Sequence, residues 1–322
     1  MPSTPEAAPA TCAIDPFVAE RPRLLRIAYR MLGSVHDAED AVQSTAERWY
    51  RLAAAERAGV AHPAAWLTTA VSRVCLSLLS TAHRRRETYP GPWLPEPLPV
   101  YAGASAAPDP ENQAVVHDDV DMALLVLLDE LKPAERVAFV LHDAFGIPFA
   151  EIAALLDRSE SAARQLASTA RARVRARDAT AVPAAVEVSL ARAFAEACQA
   201  GDVTAIASVL APDIVVVGDG GGLRGVARRP VHGVDNVSRF LLGVLQKWNG
   251  RAEMRPATVG GRPAFVFRAS DPTARPRVIG VAALDIGADG LRSIWITMNP
   301  DKLTRWERAA EDADRAGSRS VA

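Results

Sequence analysis

The sequence predicts a multi-domain protein in which two all-α helical units are followed by an α+β domain. Three observations carry this reading. Apolar residues recur at helix spacing from residue 15 to about 84, as in Leu24, Ala28, Met31 and Leu32. Helical spacing returns in short pieces between residues 117 and 177. From about residue 185 two further helices lead into β-branched and alternating runs, and helices followed by successive strands indicate an α+β domain. A chain of 322 residues accommodates two or three such units.

The first unit spans 15–86, after a lead of 1–14 read as disordered. Gly33 stops one helix and Ser34 caps the next, "VHDAEDAVQSTAERWYR". Pro63 sits at a tolerated first-turn position of a third helix, which ends in Arg84, Arg85 and Arg86. Residues 87–116 begin "ETYPGPWLPEPLPV" and read as a proline-rich linker. The second unit, 117–178, runs through "DMALLVLLDEL", "PAERVAFVLHDAF", "PFAEIAALL" and "SESAARQLASTARARVRAR". A joint at 179–184 leads to the α+β domain at 185–305. There "DIVVVGD", "PAFVFRA", "RVIGVAALDIG" and "LRSIWITMN" read as strands, with "GADG" turning between the last two. "GVDNVSRFLLGVLQKW" is a helix with Val237, Phe240, Leu241, Val244 and Leu245 on one side. Residues 306–322 read as a tail.

Composition excludes several classes. The net charge of −1 gives no global pull toward nucleic acid or membrane, so charge acts locally. Cys12, Cys75 and Cys198 are scattered, with no metal-ligand spacing and no disulfide framework. No cofactor or metal is expected. The N-terminus lacks a basic start and a leucine-rich core, and no apolar run is read as long enough for a membrane span. A cytoplasmic protein with no membrane partner is the expectation.

Three stretches carry candidate chemistry. A short apolar helix, a polar break and an Arg-rich helix make a helix-turn-helix over 148–177. On its last helix Arg164, Ser168, Arg171 and Arg175 share one face beside Gln165, while Ala163, Leu166, Ala170 and Val174 suit packing. Residues 158–177 hold six Arg against one acid, Glu160. Arginine can read guanine edges or hold phosphates; a solvated helix face has the same pattern. His36, Asp40, Gln43 and Glu47 form a polar stripe, either a wet surface or a dock for a basic helix. Trp66, Thr69 and Arg73, with Arg84, Arg85 and Arg86 beyond, could grip single-stranded bases, or Trp66 is core.

In this order the parts resemble bacterial extracytoplasmic-function (ECF) sigma factors. "DAEDAVQSTAERWYR" looks like their core-polymerase-binding helix, "PAAWLTTAVSRVCLSLL" like their promoter-melting and −10-reading segment, and residues 131–174 like their −35-reading domain. Ser77 and Leu78 depart from the Asp-Arg pair of many relatives. "WLPEP", "DGGG" and "NPDKL" further resemble the subgroup with a fused SnoaL-like C-terminal domain. The resemblance implies that Asp40, Gln43 and Glu47 face core RNA polymerase. Trp66, Thr69, Arg73, Arg84, Arg85 and Arg86 would act near the −10 element of promoter DNA. Arg164, Gln165, Ser168, Arg171 and Arg175 would serve the −35 element.

It also implies regulatory contacts among Trp93, Leu94, Pro95, Glu96 and Pro97, among Asp219, Gly220, Gly221 and Gly222, and among Asn299, Pro300, Asp301, Lys302 and Leu303. Asp301 and Lys302 offer an acid and a base to fix that contact. The C-terminal domain would then stand in for a separate anti-sigma factor, with a pocket for an unidentified small ligand. Catalysis is not required of such a chain. Two alternatives stay open: a helix-turn-helix regulator independent of polymerase, and a SnoaL-like isomerase or cyclase fused to a DNA-binding module. For the latter, Asp219, His232 and Asp235 are the candidate bases. Every tyrosine precedes the domain, which removes a Tyr-plus-Asp site.

Overall fold

The structure is a computed structural model and describes residues 15–87, 89–99, 120–178, 181–222, 226–271, 273–274 and 277–319. The lead and most of the linker beyond Pro99 lie outside the described residues, as do the side chains of Arg84, Arg85 and Arg86.

Helix α1 (Pro16–Leu32) starts where the Asp15 carboxylate accepts from the Phe17 N–H at 2.8 Å. It stops at Gly33, whose φ of 71° suits a residue without a Cβ. Ser34 caps α2 (Val35–Arg51), and a short α3 (Ala54–Ala58) leads to α4 (Pro63–Glu87). Ile27, Met31, Val42, Trp49, Leu67 and Val71 close the space between α1, α2 and α4. Residues Pro63–Thr81 are long and apolar enough to cross a membrane by composition, contrary to the expectation above. Here their apolar side, including Leu67, Val71 and Cys75, fills the core.

The second unit contains α5 (Met122–Asp129), α6 (Pro133–Phe139) with a π-turn at Val140–Ala144, α7 (Phe149–Leu156) and α8 (Glu160–Asp178). Asp157, at φ 53°, makes the sharp break between α7 and α8. Ala163, Ala167 and Ala170 bury the inner face of α8. The two helical units share one continuous buried cluster, so they pack as one body. Arg136 on α6 is a polar rivet in it. Only 1% exposed, it pairs with Asp129 at 2.9 Å and donates toward the Arg30 carbonyl of α1 at 3.4 Å.

The third domain opens with α9 (Ala184–Ala200) and α10 (Val203–Ser208). Its six-stranded mixed sheet has the order β2-β1-β6-β5-β4-β3. The strands are β1 (Leu210–Asp219), β2 (Val231–His232), β3 (Ala252–Val259), β4 (Arg262–Ala269), β5 (Val278–Gly287) and β6 (Gly290–Thr297). Among the described residues only β1 and β6 pair in parallel. Helix α9 and α11 (Val234–Trp248) cover one face. The opposite face receives Leu94, Met122 and Ala123 from the N-terminal half of the chain, beside Trp295 and Trp306. Strand β5 is therefore buried on both faces, which explains the apolar run from Val278 to Leu284.

Three elements differ from the sequence expectation, the shortest being the two-residue β2. Strand β3 carries Pro256, which reads against a strand; β3 lies at the sheet edge, where proline is tolerated. The segment taken for a tail forms α12 (Thr304–Arg319), with Trp306 and Ala310 buried one turn apart.

Candidate functional site: the proline strap and the faces around it

Five prolines keep residues 90–99 extended and unable to join a helix. The backbone groups this leaves unpaired are satisfied from two domains. On one side Asp219, at the end of β1, is fully buried. Its carboxylate accepts from the Tyr89 hydroxyl at 2.6 Å, the Leu94 N–H at 3.0 Å, the Gly221 N–H at 3.1 Å and the Lys302 ammonium at 2.7 Å. Lys302 also donates to the Leu94 carbonyl, and its Nζ lies 4.1 Å from the centre of the Trp93 ring. Burial, with the neighbouring Asp219 charge, raises the Tyr89 phenol, so it stays a donor. Asn299 donates to the Tyr89 oxygen at 2.9 Å, and the Trp306 indole N–H reaches the Pro97 carbonyl at 2.8 Å.

The three motifs thus meet in one clamp. "DGGG" is more than a turn. A Cβ on Gly221 would come within 2.7 Å of Asn299, and one on Gly222 within 2.5 Å of Pro90. The acid facing Lys302 is Asp219; the Asp301 side chain is exposed, and its N–H donates to Asn299 Oδ1 at 3.1 Å. Pro300 is half-buried, while Gly220 and Leu303 are buried.

On its other side the strap grips the α1–α2 corner. Glu96 N–H donates to the Gly33 carbonyl at 2.8 Å, and the Tyr29 hydroxyl donates to the Glu96 carbonyl at 2.8 Å. The Glu96 carboxylate accepts the Val35 N–H at the start of α2, at 2.8 Å. Pro95 and Pro97 are buried beside it. Arg305 of α12 lies 3.9 Å from Glu96 and pairs with Glu39 of α2 at 3.0 Å. A separate ion cluster joins α8 to the sheet: Arg177 pairs with Asp121 at 3.0 Å and faces Asp285 at 3.7 Å, and Arg262 bridges Asp121 and Glu187.

Burial raises the Glu96 carboxyl to about 7, against the Val35 hydrogen bond and the charges of Arg305 and Lys302, with Glu39 adding to the rise. A raised carboxyl binds its proton more tightly in the packed structure than when exposed. The packed structure is therefore favoured below the ordinary value of 4.5 and weakens as pH rises toward about 7. Glu96→Gln keeps an acceptor for Val35 and removes the ionisation. It is expected to flatten the dependence of thermal stability on pH between about 4.5 and 7. An unchanged pH profile would show that Glu96 does not carry it.

The remaining predicted residues lie on outer faces. Asp40, Gln43 and Glu47 are exposed along α2. Trp66 is half-buried, its ring 5.3 Å from that of Trp49, with Thr69 partly covered and Arg73 exposed beside it. Arg164, Gln165, Ser168 and Arg175 are exposed on α8. Arg171 is held by Asp143 at 2.7 and 3.0 Å. His232 and Asp235 are exposed, and neither lines the cavity of the third domain. Among the described residues no group of His, Cys, Asp and Glu could hold a metal ion. Sequence reasoning missed Tyr89, Arg136, Arg177, Arg305 and Trp306. Of these, Tyr89 was nearest to view, four residues before the "WLPEP" stretch.

A helical unit with an exposed polar stripe is thus joined to a helix-turn-helix unit. Residues 17–85 match Sigma-70 region 2, and residues 121–174 match Sigma-70 region 4. The chain is 39% identical over 304 residues to the ECF RNA polymerase sigma factor SigJ of Mycobacterium tuberculosis, covering 90% of this chain and 93% of SigJ. It is 35% identical over 293 residues to the probable ECF RNA polymerase sigma factor SigI of the same organism, covering 88% and 92%. The crystal structure of M. tuberculosis SigJ matches with a TM-score of 0.69 at 37% identity, over 90% of this chain and 97% of that one. The chain belongs to the ECF RNA polymerase sigma factor family.

Proposed function

We propose that this chain directs core RNA polymerase to specific promoters, and that its C-terminal SnoaL-like domain holds the two promoter-reading units shut. The observation that carries the regulatory part is the strap. Its Leu94 backbone is held by Asp219 and Lys302, while its Glu96 is held by the α1–α2 corner. The strap ties region 2 to the C-terminal domain, which also packs on Met122 and Ala123 of region 4, so separating the two regions loosens one of these holds as well as their shared core. Asp40, Gln43 and Glu47 would dock on polymerase. Trp66, Thr69, Arg73, Arg84, Arg85 and Arg86 would act at the −10 element. The outer face of α8 would enter the major groove at the −35 element. The cavity of the third domain is the place for a ligand that shifts the balance between closed and open forms.

Retention of the full chain by core polymerase, followed by promoter-dependent run-off transcription, tests the reading. Binding of duplex DNA without binding of core polymerase would contradict it. At the −35 element, Arg171→Ala is expected to weaken binding by about 1–3 kcal/mol and lower the salt slope by about one. Its exposed ion pair with Asp143 contributes little to folding, on the order of 0.2–1 kcal/mol. Unchanged affinity across a salt series would remove Arg171 from the DNA-reading face.

A further inference from the structure

Between the inner face of the sheet, α9 and α11 lies a cavity of about 660 Å³. That volume is in the range of small-molecule sites. Its walls are large and apolar: Phe194 on α9, Leu241 and Trp248 on α11, Met254 on β3, Phe265 on β4 and Met298 after β6. Glu253 and Arg255 also line it, and they neutralise each other at 2.7 Å with about half of each side chain exposed. Cys198 faces the same space; burial pushes its thiol up to about 12, which keeps it uncharged at neutral pH. Gln199, Gln246 and Asn249 supply neutral polar groups. No unbalanced charge therefore faces an occupant, and a charged ligand would lose its hydration without compensation.

Met298 joins this cavity to the clamp. Its side chain lines the cavity, and its N–H donates to the Asp219 carbonyl at 2.7 Å. The next residue, Asn299, donates to the same carbonyl at 3.1 Å and to Tyr89 at 2.9 Å. Met298 is also tightly seated, since a Cβ on Gly280 would lie 3.0 Å from its Cγ. A ligand that presses on the Met298 side chain would pull on its backbone bond to Asp219, and the closed clamp resists that movement.

We infer that the C-terminal domain binds a neutral, predominantly apolar small molecule of about two or three rings in this cavity, and that occupancy loosens the strap clamp through Met298. Binding stands independently of the clamp reading; its consequence for opening rests on that reading. Linkage makes the coupling reciprocal: if the ligand favours the open form, cutting the clamp tightens the ligand.

The probe is N-phenyl-1-naphthylamine, a neutral apolar dye whose emission rises on leaving water, titrated into the full chain. The expected result is saturable binding of one dye per chain, with a Kd on the order of 10 µM. Ala282→Phe, which fills the cavity from β5, is expected to weaken binding at least about tenfold with the fold retained by circular dichroism. If that variant fails to fold, Leu245→Phe on α11 serves the same purpose. Lys302→Met is expected to tighten binding about three- to tenfold, and Met298→Ala to keep dye binding while abolishing the effect of Lys302→Met. Absence of saturable binding, or binding indifferent to the filling variants, would overturn the site. Binding of equal strength with and without Lys302→Met would overturn the coupling and leave the site standing. Neither outcome bears on promoter-dependent transcription, which tests the sigma-factor reading separately.

Discussion

Asp219→Ala is expected to open the protein and raise transcription at limiting concentrations of the chain. The substitution removes the acceptor for Tyr89, for the Leu94 N–H and for the Lys302 ammonium in one step. Lys302 is 7% exposed, so its charge stays buried without its carboxylate. Removing one partner of a buried ion pair costs about 3–5 kcal/mol. At about 1.4 kcal/mol per factor of ten, this moves a closed–open balance by at most roughly two to three and a half orders of magnitude, less whatever part falls on the domain itself. Lys302→Met should be milder. It leaves Asp219 with Tyr89, Leu94 and Gly221 as donors, and the Met side chain replaces much of the lost volume. Small-angle scattering checks the order: a larger radius of gyration for Asp219→Ala than for Lys302→Met, and both above the parent. Equal radii for all three would mean that the clamp does not hold the domains.

The second large effect is at Trp306. Its indole is 6% exposed, packs in the cluster with Leu94, Trp295 and Leu303, and donates to the Pro97 carbonyl. Trp306→Ala is expected to destabilise the closed protein by about 3–5 kcal/mol through the cavity it leaves. Trp306→Phe retains most of the packing and loses one hydrogen bond, at a cost of about 1 kcal/mol. Denaturant titration separates the two, with an early transition for Trp306→Ala as the C-terminal domain releases the strap. A midpoint equal to the parent's would show that α12 contributes nothing to closure.

These residues also mark what could be read in the sequence. Helices of region 2 and the helix-turn-helix were legible because Leu24, Ala28 and Met31, or Ala163 and Ala170, repeat at helix spacing over long stretches. The clamp was not legible from spacing. Asp219 and Leu94 are 125 residues apart, and Lys302 and Leu94 are 208 apart. Local periodicity holds no information on such pairs, so only the resemblance carried by "WLPEP", "DGGG" and "NPDKL" put them together. It grouped the motifs but placed Asp301 in the contact, where the acid is Asp219. Helix α12 was missed because Trp306 and Ala310 are set among charged residues, so its buried stripe is narrow. Arg136 reads as a surface residue in "PAERVAF". Its burial follows from Asp129 and the Arg30 carbonyl, which only the packed structure brings near.

The central claim is tested most directly by transcription from fragmented genomic DNA, using core RNA polymerase with either the full chain or its Asp219→Ala variant. Transcripts are expected from a shared set of promoters, with more initiation from the variant when the chain is limiting. If neither protein starts transcripts while the same polymerase is active with another sigma factor, the assignment of promoter recognition to this chain is contradicted.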